Sequence, residues 1–454
     1  MPPSQDAPRL PPLPPGFRLG VATAAYQVEG APEAEGRGPS VWDTFAARPG
    51  AVAGGLAAGD LGADHYRRFR EDVSLLADLG VDAYRYSIPW SRVQPSGRGA
   101  PNAAGLDHYE RLVDTLLKAG IDPVVTLFHG DLPQGLEDDG GWLNRETISR
   151  FGDYAALVGE RLADRVSAWV PVDEPNVVAF LGYGTGSHAP GRRLMFHAIP
   201  VAHHLLIGHG VATSALRAAG AERVGCANHH APMWPASDDE ADVGATKLFD
   251  SLWNGFFIEP MLLGRYPRDL EILLDDVIEP GDLALIRQPL DFYGISYYAP
   301  MRIAAAPEEA ETPFMPVPLL GYPTTDLGWP VVPDALREWL ITFRARYRAA
   351  LPPLCITAAG AAYADTPDEQ GVVDDDARIA YLDGHLRAVS AAVQRGVDVQ
   401  GMFVWSLLDG FDGAQGYQAP FGLVRVEPGC KKRVPKASFD WFHDVIASRT
   451  RSIG

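Results

Sequence analysis

Short apolar runs alternate with longer amphipathic stretches along almost the whole chain, and the alternation occurs eight times. Apolar runs of this kind read as buried strands of a parallel sheet. Such strands are covered on both faces and need a helix to carry the chain back. Strands are expected over 17–23, 83–88, 123–128, 167–172, 223–228, 292–296, 354–357 and 401–405. Helical spacing fills 64–79, 106–119, 146–163, 194–219, 245–257, 334–349, 374–395 and 436–448. The stretch over 64–79 shows why: Tyr66, Phe69, Val73 and Leu76 recur on one helical face, and Gly80 follows as a left-handed stop. Eight strand–helix units predict an α/β fold, a single (β/α)8 TIM barrel with its chemistry at the C-terminal ends of the strands. Residues 1–16 read as a Pro-rich N-terminal arm and 17–454 as the barrel, with irregular insertions over 46–59 and 304–328.

Composition narrows the partners. The 454 residues, 46% of them apolar, suffice for a large barrel core. Lys and Arg number 39 against 58 Asp and Glu, a formal net charge of −19, which argues against nucleic acid and anionic membrane as partners. No apolar run approaches the ~20 residues of a membrane span, and the start lacks a basic-then-apolar signal pattern. A cytoplasmic location is therefore expected. Cys226, Cys355 and Cys430 are widely spaced, with no C-x-x-C pair, so neither a disulfide framework nor a zinc site is expected. No metal and no other cofactor is predicted. The excess of Arg over Lys, with abundant Ala, Gly and Pro, points to a GC-rich bacterial genome.

The strand ends carry the chemistry. The first ends in Tyr26-Gln27-Val28-Glu29-Gly30, the second carries Arg85, and the third ends in His129-Gly130-Asp131. The fourth ends in Asp173-Glu174-Pro175, the fifth in Asn228-His229-His230, the sixth in Ser296-Tyr297-Tyr298 and the eighth in Trp405-Ser406. A carboxyl beside another carboxyl is expected to have its pKa raised by like charge and partial burial, which suits Glu174 to a general acid near neutral pH. Asp173 either shares a proton with Glu174 or turns into the packing. Only one of His229 and His230 faces the barrel mouth, since strand neighbours point to opposite faces. His230 is taken as the pocket residue, a hydrogen-bonded wall. Asp131 and Asp412 read as rim acids.

These segments resemble glycoside hydrolase family 1, the β-glucosidase and β-galactosidase family, from about Phe17 to Phe442. The resemblance rests on FRLGVATAAYQVEG, DHYRRFREDVSLLADLGVDAYRYSIPWSRV, GYGTGSHAPG, DFYGISYYAP and GVDVQGMFVWSLLDGF, in the family's order and spacing. It implies a retaining site with an acid/base glutamate in Asn-Glu-Pro on the fourth strand and a nucleophilic glutamate in Thr-Glu-Asn-Gly on the seventh. Here the fourth-strand motif reads Asp173-Glu174-Pro175, and the seventh reads Thr357-Ala358-Ala359-Gly360. The resemblance thus makes Ala358 a lost nucleophile position. The next carboxylate along the chain is Asp365.

Further departures cluster on the same rim. The family's Trp after His129 is Gly130, its Asn-Phe-Glu-Trp after the eighth strand is Gly410-Phe411-Asp412-Gly413, and its sixth-strand Asn is Ser296. Two Trp-to-Gly changes predict a wider site with ~150–250 Å² less aromatic wall each. Gln27, His129, Glu174, Tyr298, Trp329 and Trp405 are retained. In the family Arg85 pairs with the nucleophile. Without one its charge needs another anion: Asp173, a substrate carboxylate or solvent.

The expected ligand is a small molecule, sugar-like or with an anionic group. The leading expectation is acid/base chemistry without a covalent intermediate on a bulky small molecule: cyclisation, isomerisation, dehydration or acetal opening in secondary metabolism. Glu174 and Asp173 would be catalytic. Gln27, Arg85, His129, Asp131, His230, Tyr298, Trp329, Trp405 and Asp412 would bind substrate. Two alternatives stay open: an atypical β-glycosidase, inverting or substrate-assisted, and a non-catalytic pseudoglycosidase.

Overall fold

The computed structural model describes residues 11–54 and 62–451. Parts of the N-terminal arm and of the 46–59 insertion lie outside the described residues. Eight parallel strands form one sheet: Arg18–Ala22, Ala83–Ser87, Asp122–Phe128, Ala168–Val172, Gly225–His229, Phe292–Ser296, Leu354–Ala359 and Val399–Trp405. They are the first to eighth barrel strands below. The first pairs with the second and the eighth, and single bridges, Trp169 to Val224 and Asp173 to Ala227, join the fourth to the fifth. The sheet closes into the expected TIM barrel.

Strand interiors are almost wholly buried, as expected where helices cover the outer face. Inside the barrel the residues are mostly small, Ala22, Ala83, Ala168 and Ala227, beside Val124, Val170, Phe292 and Phe403. The two Phe rings fit only because glycines face them. A Cβ on Gly20 would lie 2.6 Å from the Phe403 ring, and one on Gly225 would lie 2.6 Å from the Phe292 ring. The helix His65–Leu79 buries Tyr66, Phe69, Val73 and Leu76 and ends at Gly80, whose φ is 77°.

Two stretches differ from expectation. The long helix over 194–219 divides into a short helix, Met195–Ala198, and Ile199–Ala218. The insertion over 304–328 is not irregular throughout. Met301–Ala305 and Phe314–Val317 pair antiparallel, and Met233–Pro235 adds a third strand. Pro316 reads as a strand breaker, but here it lies in an edge strand, where a missing N–H is tolerated. This small sheet stands over the C-terminal ends of the barrel strands. Among the described residues no helix is long and apolar enough to cross a membrane.

Candidate active site

A cavity of about 820 Å³ opens at the C-terminal ends of the strands. Gln27, Arg85, His129, Asp173, Glu174, His229, Tyr298, Trp329, Trp405 and Asp412 all line it. Asp173 sits where the fourth strand leaves the sheet. Its Oδ1 lies 2.5 Å from Arg85 Nη1, and its Oδ2 lies 2.9 Å from His129 Nε2. Burial alone would raise its pKa. The Arg85 charge and His129 outweigh that, and the carboxyl is held well below the usual range.

Glu174 follows with a φ of 45°, left-handed for a residue with a Cβ, and its backbone N–H donates to Ala227 O at 2.7 Å. A non-glycine residue held there is strained, and such strain gathers at functional sites. Burial, then the neighbouring Asp173 charge, push its pKa up to about 8. Adjacent carboxyls therefore have opposite tendencies, one ionised and one protonated at neutral pH. Asp412 is pushed up to about 6 by burial, and Gln27 Nε2 donates to its Oδ1 at 3.4 Å.

Aromatic rings frame these groups. His129 lies 5.7 Å from Trp405, Tyr298 5.4 Å from Trp329, and Trp329 6.1 Å from Phe421, centroid to centroid. Trp42, which the sequence did not single out, lines the cavity beside Gly130 and Gly413. A Cβ on Gly413 would lie 2.8 Å from the Trp42 ring, and one on Gly130 would lie 3.8 Å from its Nε1. The aromatic surface expected to be missing at these glycines is thus partly supplied by a ring from the segment after the first strand.

Three expected residues are placed elsewhere. His230 points out of the barrel, with Nδ1 2.9 Å from Asn254 Oδ1 and Nε2 2.8 Å from Tyr293 Oη. Alternation along the fifth strand turns His229 inward instead. There it stacks on Tyr298 at 5.7 Å and accepts from Trp253 Nε1 at 3.0 Å. Asp131 lies behind His129, off the main cavity, in a small pocket it shares with His129 and Tyr26. Burial there, opposed by Arg37, pushes its pKa to about 6. Ala358 is 1% exposed, packs in the barrel interior with Trp405 and does not line the cavity. Asp365 is tied to Arg378 and Lys436 and takes no part in the site.

The chain matches glycosyl hydrolase family 1 over residues 11–451. It is 39% identical to β-glucosidase A of Thermotoga maritima over 96% of this chain and 97% of that protein. It is 43% identical to thermostable β-glucosidase B of Thermobispora bispora over 96% and 90%. Among solved structures, the family 1 β-glucosidase from Thermotoga maritima superposes with a TM-score of 0.92 at 39% identity, covering 97% of this chain and 98% of that one. The same score, at 38% identity and 97% and 99% coverage, holds for the Thermotoga maritima β-glucosidase in complex with deoxynojirimycin. These likenesses overturn the expectation of a barrel turned to cyclisation, isomerisation or dehydration in secondary metabolism, and with it the pseudoglycosidase alternative. Relatives that share about two residues in five over nearly their full length are β-glucosidases. With its closed barrel and its strand-end cavity, the chain belongs to glycosyl hydrolase family 1.

Proposed function

We propose that the protein hydrolyses β-glucosides, with Glu174 as the proton donor. The observation that carries this reading is the adjacent pair of carboxyls driven apart, Asp173 ionised against Arg85 and Glu174 raised to about 8. Pairs separated in this way take different roles, one carboxyl holding a proton to give and the other standing as a fixed negative charge. Glu174 gives its proton to the glycosidic oxygen as the bond from that oxygen to the anomeric carbon breaks. The ionised Asp173 faces the positive charge that grows on the sugar ring, and a water supplies the new hydroxyl and returns a proton to Glu174. Ala358 offers no carboxylate, so this reading turns on Asp173. Gln27, His129, Tyr298, Trp329, Trp405 and Asp412 surround the sugar, and Arg85 acts through Asp173.

The site needs a small-molecule substrate and no cofactor in this scheme. The free thiols Cys226, Cys355 and Cys430 support a reducing, cytoplasmic setting.

Glucose release from alkyl β-glucosides, whose leaving groups need a proton, tests the reading with the folded protein, and Glu174→Gln and Asp173→Asn serve as controls. Release that both substitutions abolish supports it. Absence of glucose from every β-glucoside tried, with the protein folded, overturns it.

A further inference from the structure

Outside the sugar cleft, one wall of the cavity is a chain of aromatic rings. Phe180 lies 6.2 Å from Trp253, Trp253 5.8 Å from Phe249, Phe249 4.7 Å from Phe314 and Phe314 6.4 Å from Phe196, centroid to centroid. All five line the cavity, and all but Trp253 are only partly buried by the protein itself. They come from four separate places: the helix Val177–Gly184, the helix Glu240–Asp250 with its continuation Ser251–Gly255, the strand Phe314–Val317, and the short helix Met195–Ala198. Independent elements therefore converge to build one apolar face, and a contiguous open face of this kind marks a binding surface.

The carboxylates of the cavity, Asp173, Glu174 and Asp412, are grouped with Gln27 and Tyr298 and not among these rings. On the aromatic side, Arg302 Nη2 donates to Ala236 O, the Thr185 and Thr312 hydroxyls donate to Leu181 O and Phe314 O, and burial holds His188 near pKa 4, so it is neutral at physiological pH. A second sugar ring seated here would bring several hydroxyls out of water, and unpaired polar groups are costly to bury. A flat apolar group needs no such partners and gains from offset and edge contacts with the rings.

Resting on the β-glucoside reading, we propose that the leaving group is a large, flat, apolar aglycone, aryl or polycyclic, rather than a second sugar. The wall of Phe180, Trp253, Phe249, Phe314 and Phe196 selects it.

Sulfur-linked glucosides resist hydrolysis and report binding without turnover, in the active protein and in its variants. Calorimetry would compare 2-naphthyl 1-thio-β-glucoside, methyl 1-thio-β-glucoside and thiocellobiose. The naphthyl compound should bind at least about tenfold more tightly than either other ligand. Phe314→Ser, and separately Phe196→Ser at the far end of the wall, should each reduce that preference to about threefold or less. Thiocellobiose binding as tightly as the naphthyl compound would falsify the proposal. So would a preference unchanged in both variants, or no binding of the naphthyl compound. A protein that binds the naphthyl thioglucoside but releases no glucose from oxygen glycosides keeps this proposal and loses the hydrolytic one.

Discussion

The Asp173 carboxylate and the Arg85 guanidinium meet at 2.5 Å inside the barrel, and each side chain is 1% exposed. The contact spans the second and fourth strands and sets the polarity of the site. Arg85 keeps Asp173 ionised, and the ionised Asp173 helps keep Glu174 protonated. Removing one partner of such a pair leaves the other charge buried and alone. Arg85→Met should therefore destabilise the protein by about 3–5 kcal/mol in denaturant unfolding. Pairing it with Asp173→Leu should recover a large part of that loss. A double variant no more stable than the single one would show that the two groups are not coupled.

Under the proposed hydrolysis, Glu174 should set the basic side of the pH profile. The rate should fall as pH rises through about 8, where Glu174 loses its proton. Asp173, held low, stays ionised across the same range. A basic limb that persists unchanged in a partly active Glu174 variant would assign it to another group.

Stability follows the same two groups with opposite signs. The folded pKa of Glu174 is raised from 4.5 to about 8, so its contribution is complete below 4.5 and is lost as pH rises toward 8. The folded pKa of Asp173 lies below 3.8, so its contribution is present above 3.8 and disappears as pH falls through the folded value. Glu174→Gln should therefore gain Tm relative to wild type between about pH 5 and pH 9. Parallel Tm curves for the two proteins across that range would contradict the assignment.

Leaving-group dependence separates the acid from the rest of the site. Glu174→Gln should lower kcat/KM for an alkyl β-glucoside by about 10²–10⁴-fold, the ordinary worth of a placed proton donor. A dinitrophenyl glucoside, whose leaving group needs no proton, should lose far less. Equal losses on both would mean that Glu174 positions substrate and donates nothing.

Trp42 and Gly413 share one space, and a Cβ on Gly413 would meet the ring at 2.8 Å. The φ of Gly413 is 36°, which a side chain also disfavours. Gly413→Ala should cost about 1–3 kcal/mol in unfolding experiments. Adding Trp42→Ala should relieve the steric share and leave the backbone share. A full cost that survives in the double variant would put the whole effect in the backbone.

The barrel was legible because each strand is a short apolar run and each helix a periodic one, closed by residues such as Gly80. Arg85's need for a nearby anion was also legible, since a buried guanidinium demands one, and Asp173 meets it. The orientation of His229 and His230 was not. Both are buried polar residues at a strand end, and only the register of the fifth strand decides which turns inward. Trp42 escaped notice because it reaches Gly130 and Gly413 from a segment far away in sequence and outside the barrel strands. The Phe314–Val317 strand was hidden by Pro316, which pattern reading takes as a break. The family was legible in motifs such as DFYGISYYAP, but on the rim the departures outweighed the retained groups and turned the functional reading away from the β-glucosidases that the chain resembles.

The small sheet over the mouth is assembled from two insertions, one after the fifth strand and one after the sixth, and neither supplies a staple to the barrel's eight-strand hydrogen-bonded ladder. Foundation and canopy are therefore separate sheets. A descendant can recut the canopy, exchanging Phe314 or lengthening the turn before it, and meet a new aglycone without reopening the question of how the barrel folds.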